Sequence, residues 1–184
     1  MKDLNLLCEK LGLLVMGEDR IKSFRLVLNE IASFYMENLE LKNDEAAIML
    51  LDKTKSVLSF AYPEFLVDSG LLPVTSPDAF ASQIYRSGKG AIENVFSQQK
   101  HLRLFEYVKN PDNTRKPICK IMASLIMYGE EKIGIIELSR KGFSPHESGD
   151  DFTLENLHFV EATMEKMVPF IKQVMPEDYK GKIL

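Results

Sequence analysis

Cys119 is the most reactive side chain in the middle of the sequence, standing among Arg115, Lys116 and Lys120. Nearby positive charge favours the thiolate, the nucleophilic form of cysteine. Two readings follow: a redox-sensing thiol, or a small hydrophobe filling a strand. The region around it is basic. Residues 100 to 120 carry six cations (Lys100, Arg103, Lys109, Arg115, Lys116, Lys120) and two acids (Glu106, Asp112). Beside a pocket such a cluster would hold an anionic ligand, a carboxylate or phosphate. On a surface loop it is simply solvated. No phosphate-cradling loop accompanies it, because Gly88-Lys89-Gly90 is too short and lacks the strand–loop–helix order.

His146, Glu147, Asp150 and Asp151 offer nitrogen and oxygen ligands, but without the alternating acidic spacing of a calcium loop. Ser144-Pro145-His146-Glu147 fits a capping box better. The histidines, His101, His146 and His158, stand at no metal-ligand spacing, so no metal site is expected. The two cysteines, Cys8 and Cys119, make neither a disulfide framework nor a CxxC centre. There is no GxSxG elbow, and no local Ser-His-Asp or Cys-His grouping. No catalytic constellation is detectable, and the expectation is a protein that is not an enzyme. No cofactor can be named.

The chain has 184 residues, suited to one α/β domain with helical additions. Hydrophobic residues make up 45% and charged residues 27%, a globular and not a disordered profile. A formal net charge of -4 argues against nonspecific nucleic-acid binding. No apolar run approaches the roughly 20 residues that span a bilayer. Asp3, Glu9 and Lys10 interrupt any secretion signal. A reduced, cytoplasmic location is the expectation, with no membrane or nucleic-acid partner.

Periodicity supplies the elements. Leu4, Leu7, Leu11 and Leu14 predict a first helix, with Gly17 as a left-handed stop. A second helix starts near Asp19 and carries Ile21, Phe24, Leu28, Ile31 and Tyr35. Residues 46–51 and 57–62 predict a hairpin around Asp52-Lys53-Thr54-Lys55. Ser76-Pro77-Asp78 predicts a helix start, running to Gly88. A short strand over 90–96, a helix over 98–107 and a turn at 110–113 follow. Residues 118–128 and 133–138 predict a second hairpin, with Gly134 marking a bulge or close backbone approach. The last helix begins near Thr153, carries Leu157, Val160, Met164, Met167, Ile171 and Val174, and stops at Pro176.

Three segments carry a family resemblance. Ser87-Gly88-Lys89-Gly90-Ala91-Ile92-Glu93-Asn94-Val95 resembles the GAF-domain segment in which a helix ends at glycine and feeds a short strand. Met122-Ala123-Ser124-Leu125-Ile126-Met127, Gly129 and Ile133-Gly134-Ile135-Ile136-Glu137-Leu138 resemble the family's terminal hairpin. Phe152-Thr153-Leu154-Glu155-Asn156-Leu157 resembles the entry to its closing helix. The resemblance implies an α+β, PAS-related antiparallel sheet, with helices packed on one face and a ligand cavity on the other. It divides the chain into an N-terminal helix (1–17), a GAF-like domain (18–176) and a polar tail (177–184). It implies a small-molecule-sensing signalling domain that acts through a partner or output region. The cyclic-nucleotide signature is not matched, and the several pocket cysteines of methionine sulfoxide reductases are missing.

The family's geometry places Phe60, Tyr62, Ile84, Tyr107, Cys119 and Met122 along the cavity, with Arg86 or Arg103 near its mouth. The ligand stays unidentified; the local basicity suits an anion. The alternatives are a structural or dimerisation module without ligand, and a thiol sensor built on Cys119. The stripes at 4–14 and 157–174 predict a homodimer through the terminal helices, or a first helix folded back on its own domain.

Overall fold

The computed structural model describes residues 2–67, 69–96, 116–177 and 179. Helix α1 (Leu4–Leu14) is capped by Asp3, whose side chain accepts from the backbone of Asn5 and Leu6. Gly17 does not supply the expected left-handed stop, since its φ is not positive. Its lack of a side chain matters instead, because a Cβ there would lie 2.6 Å from Ser23 Oγ. Helix α2 (Arg20–Asn38) begins at Asp19, which accepts from Lys22 N at 2.9 Å.

Strands β1 (Ala46–Leu51) and β2 (Val57–Tyr62) form the first hairpin, and β5 (Ile118–Tyr128) and β6 (Glu131–Lys141) the second. Two short strands, β3 (Leu71–Pro73) and β4 (Ala91–Glu93), complete one antiparallel six-stranded sheet in the order β3-β2-β1-β6-β5-β4. The hairpins meet where β1 pairs with β6, from Ala46↔Leu138 to Leu50↔Gly134. Gly134 is a close approach: a Cβ there would stand 2.3 Å from Met49 O. β6 outruns the expected 133–138 because its polar end is tied down. Ser139 N donates to Glu45 O, and the buried Lys141 ammonium meets Asp44 at 3.1 Å.

The long helices share one face of the sheet. Phe24, Leu28, Ile31 and Tyr35 of α2 pack with Met164, Met167 and Ile171 of α4 (Leu154–Val174) over Ile48, Leu50, Ile126 and Ile136. Thr153 starts α4 with a capping box that includes Asn156. Leu7 and Leu11 are buried in the same core, and Leu157, Val160 and Val174 join them. Both stripes that could form a dimer seam therefore face their own domain.

The opposite face carries the short helix α3 (Phe80–Ser87). Met49, Leu51, Leu58, Phe60, Ile121 and Ile135 form its sheet floor. α3 ends at left-handed Gly88, as expected. It does not begin at Ser76-Pro77-Asp78, where Ser76 N closes a turn on Pro73 O. Its N-cap is Ala79, which has no side chain able to cap. The predicted elements over 98–107 and 110–113 lie outside the described residues.

Candidate functional site

On β6 the side chains of Ile135, Glu137 and Ser139 alternate with Ile136 and Leu138. Ile136 and Leu138 enter the long-helix core, while Ile135 joins the floor beneath α3. Glu137 therefore points to the α3 face. It lies across from Ala47 on β1 and from Ala123 on β5, both small floor residues. Above it the backbone N–H of Ala81, in the first turn of α3, is directed at its carboxylate. The acceptor that Ala79 lacks thus comes from the sheet, and this explains why the helix starts here and not at Ser76.

Glu137 is only 6% exposed. Burial pushes its carboxyl up to about 7, and the Ala81 N–H pulls partly the other way. At neutral pH this site can hold a carboxylate or a carboxylic acid, able to accept or donate a hydrogen bond. A buried ionisable group with a strongly shifted pKa is a mark of functional sites. Its two cross-strand partners, Ala47 and Ala123, are both small.

The eight expected cavity residues separate. Phe60 and Ile84 meet in the cluster beneath α3, with Phe96 beside them. Tyr62 is two residues from Phe60 but packs against the long-helix core. The reason is a bulge in β2: Met49 pairs with Phe60 and Ile48 with Tyr62, leaving Ala61 over. That extra residue reverses which face Tyr62 serves. It lines instead a 200 Å³ pocket with Arg25 and Leu26 of α2. Met122 also points to the long-helix face, in phase with Ile126.

Arg86 does not reach toward the floor. Its guanidinium donates to the carbonyls of Val74 and Ser76, at 3.0 and 2.8 Å, and clamps the loop that precedes α3. Cys119 is buried and donates its thiol hydrogen to Gly142 O at 3.1 Å. Arg103 and Tyr107 lie outside the described residues, as do Lys100, Lys109 and Arg115 of the basic cluster. Of the cluster's described members, Lys116 meets Glu147 at 2.7 Å and Lys120 meets Asp151 at 2.7 Å.

Ser144 and Glu147 form a single turn and not a helix. Glu147 N bonds to Ser144 Oγ, and the Glu147 carboxylate accepts from Phe143 N. No group of three or more His, Cys, Asp or Glu side chains is placed to hold a metal ion among the described residues. No helix among them is long and apolar enough to cross a membrane.

Sequence reasoning missed Glu137. The available signal was its phase: an acid in register with Ile135, inside the apolar run Ile133–Leu138.

No protein-family model matches the sequence, and no curated protein does. Solved structures match the fold across nearly the whole chain. The GAF domain of a phosphoenolpyruvate-protein phosphotransferase from Coxiella burnetii is 11% identical, with a TM-score of 0.61 over 92% of this chain and 92% of that one. The GAF domain of a two-component sensor histidine kinase from Bacillus halodurans is 16% identical, with a TM-score of 0.53 over 80% and 95%. A free methionine-R-sulfoxide reductase from Neisseria meningitidis, solved with its substrate, is 12% identical, with a TM-score of 0.55 over 95% and 96%.

Proposed function

We propose that this chain, which has the GAF-domain fold, is a sensing module of a signalling system that binds a small molecule on the α3 face of its sheet. The observation that carries the reading is Glu137, an acid buried across from two alanines on a mostly apolar floor. Keeping it there costs stability unless it is protonated or partnered, and a ligand supplies such a partner. Phe60 and Ile84 provide apolar contact nearby. Arg103 and Tyr107 belong to the segment that follows β4 and are proposed to complete the site. An anionic ligand would require the basic residues of that segment to outweigh Glu137. A neutral or cationic hydrogen-bond donor would meet Glu137 directly.

The proposed activity is binding and not catalysis. Cys119, buried and donating to a carbonyl, has the surroundings of a structural thiol and not of an exposed nucleophile. Cys8 is remote from it in the fold, on α1 in the long-helix layer.

The chain is further proposed to act through a partner or output region, and as a homodimer. The dimer surface would be the outward side of α1 and the turn after it, where Leu6, Leu13 and Met16 are exposed, and not the Leu7–Leu11 stripe.

Native mass spectrometry of freshly purified protein tests the binding reading, with Glu137→Leu as the comparison. A non-covalent small-molecule adduct is expected on the wild type and lost from the variant. A folded variant that keeps the adduct overturns the role of Glu137. A wild type that carries no adduct, and gains no thermal stability from any member of a metabolite panel, favours the module without ligand.

A further inference from the structure

Strand β4 has three residues and pairs only with Ile121–Ala123 of β5. β5 runs on to Tyr128, paired with β6 along its other side. From Ser124 to Tyr128 its outer edge has no strand partner among the described residues. The cause lies in the chain before β4. Gly88 is left-handed and turns the backbone away, so no residue continues the β4 ladder. Gly90 draws the turn against α4, since a Cβ there would meet Glu161 Oε1 at 2.8 Å and Leu157 Cδ1 at 2.9 Å.

Between this edge and α4 runs a groove of about 570 Å³. Ser124 and Leu125 both line it, although consecutive strand residues point to opposite faces. The strand edge itself, with its backbone N–H and C=O groups, is therefore a wall of the groove. Leu125 and Met127 are half-buried there, and Tyr128 is 44% exposed.

We propose that this edge receives an extended, basic peptide segment of a partner protein, added to the sheet as a strand beside β5. An open edge supplies the main-chain hydrogen bonds, and the groove supplies the selection among side chains. Glu161 and Glu165 stand one turn apart on the opposite wall, exposed and in no ion pair among the described residues, and they outweigh the single lysine of the groove, Lys89. Met127, half-buried at the edge, offers an adaptable apolar contact. Together these fit a segment in which basic and apolar residues alternate. A second copy of this chain is the poorer occupant. It would bring its own Glu161 and Glu165 to the same groove, and like charges in juxtaposition oppose pairing. The proposal does not depend on a ligand at Glu137, which lies on the other face of the sheet.

Titration calorimetry with an amide-capped, alternating lysine–valine hexapeptide tests it, backed by backbone NMR of the intact chain. Binding is expected with a Kd of about 100 μM, as for a short segment docking on one edge. It should weaken at least about tenfold when alternate peptide nitrogens are methylated, because the ladder cannot then form. Glu161→Lys with Glu165→Lys should do the same, while Glu137→Leu should leave it unchanged. Shifted amides should centre on residues 124–128. No binding at millimolar peptide overturns the proposal. So does equal binding of the methylated peptide or of an alternating aspartate–valine peptide. A homodimer whose interface maps to residues 124–128 would assign the edge to a second copy instead.

Discussion

Glu137 on β6 lies directly across from Ala123 on β5, in the middle of a six-stranded sheet. A long acidic side chain beside a methyl group finds no neighbour on its own strand level to neutralise it. What it has is the N–H of Ala81 overhead. This arrangement sets both the start of α3 and the pH dependence of the molecule.

The carboxyl of Glu137 is raised from 4.5 to about 7 in the folded state, so between these values the folded chain binds more protons than the unfolded one. Stability from this group is therefore full below pH 4.5 and is lost as pH rises through 7. The loss is about 3 kcal/mol at most, because each tenfold change in proton affinity is worth roughly 1.4 kcal/mol. Glu137→Gln keeps an acceptor for Ala81 and cannot ionise. It should melt at the wild-type temperature at pH 4.5 and on the order of 10 °C higher at pH 8. Melting curves of both proteins across that range are the check. A constant difference at all pH values would show that Glu137 is ionised throughout.

Gly134→Ala should be among the most damaging single changes. Its Cβ would meet Met49 O at 2.3 Å and Leu50 Cδ2 at 2.8 Å, at the β1–β6 pairing. A loss of about 3 kcal/mol or more is expected, since backbone cannot move aside as a side-chain tip can. Gly129→Ala is the control. Its φ is +60° with nothing within 4 Å, so only the left-handed strain of about 1 kcal/mol applies. Urea unfolding of the two variants should separate them clearly.

Cys119→Ser should preserve the fold, because a hydroxyl can donate to Gly142 O in place of the thiol. The expected loss is about 1 kcal/mol, from exchanging a soft buried group for a more polar one. Ligand retention by native mass spectrometry should not change. Peroxide treatment that modifies native Cys119 and alters that retention would revive the redox reading.

On α1 the contrast between neighbours decides how the helix is used. Leu11 is fully buried and Leu13 is 75% exposed. Leu11→Ala should cost about 2–5 kcal/mol by leaving a cavity, and Leu13→Ala almost nothing in a monomer. Sedimentation velocity of Leu13→Glu adds the second half of the test. A dimer that dissociates places the interface on the outer stripe, and an unchanged profile removes α1 from it.

Much of this fold is legible in the sequence. The bounds expected for β1, β2 and β5 are those observed, because a continuous apolar run flanked by turn residues is a local signal. The stripes of α2 and α4 are equally plain. What eludes the sequence is set across the sheet. β3 is three residues ending in proline, at an edge where a missing N–H does no harm. α3 starts where a residue of another strand can meet its first turn, and not where its own sequence offers a cap. Parity makes Tyr62 and Phe60 neighbours on one face, and a one-residue bulge at Ala61 separates them. The candidate site is thus half visible: Phe60 and Ile84 by type and position, Glu137 only once its strand has a register.

The order of the strands also bears on how the chain is made. β1 is buried along its whole length, and its second partner is β6, with Ala46 waiting for Leu138. During vectorial synthesis the first hairpin emerges with Ala46–Leu51 presenting an apolar, unpaired edge, and that edge stays open until the segment past residue 130 has left the ribosome. Such an edge is a template for the wrong strand. Early translational arrest, or truncation before β6, should therefore yield aggregated and not merely unfolded protein.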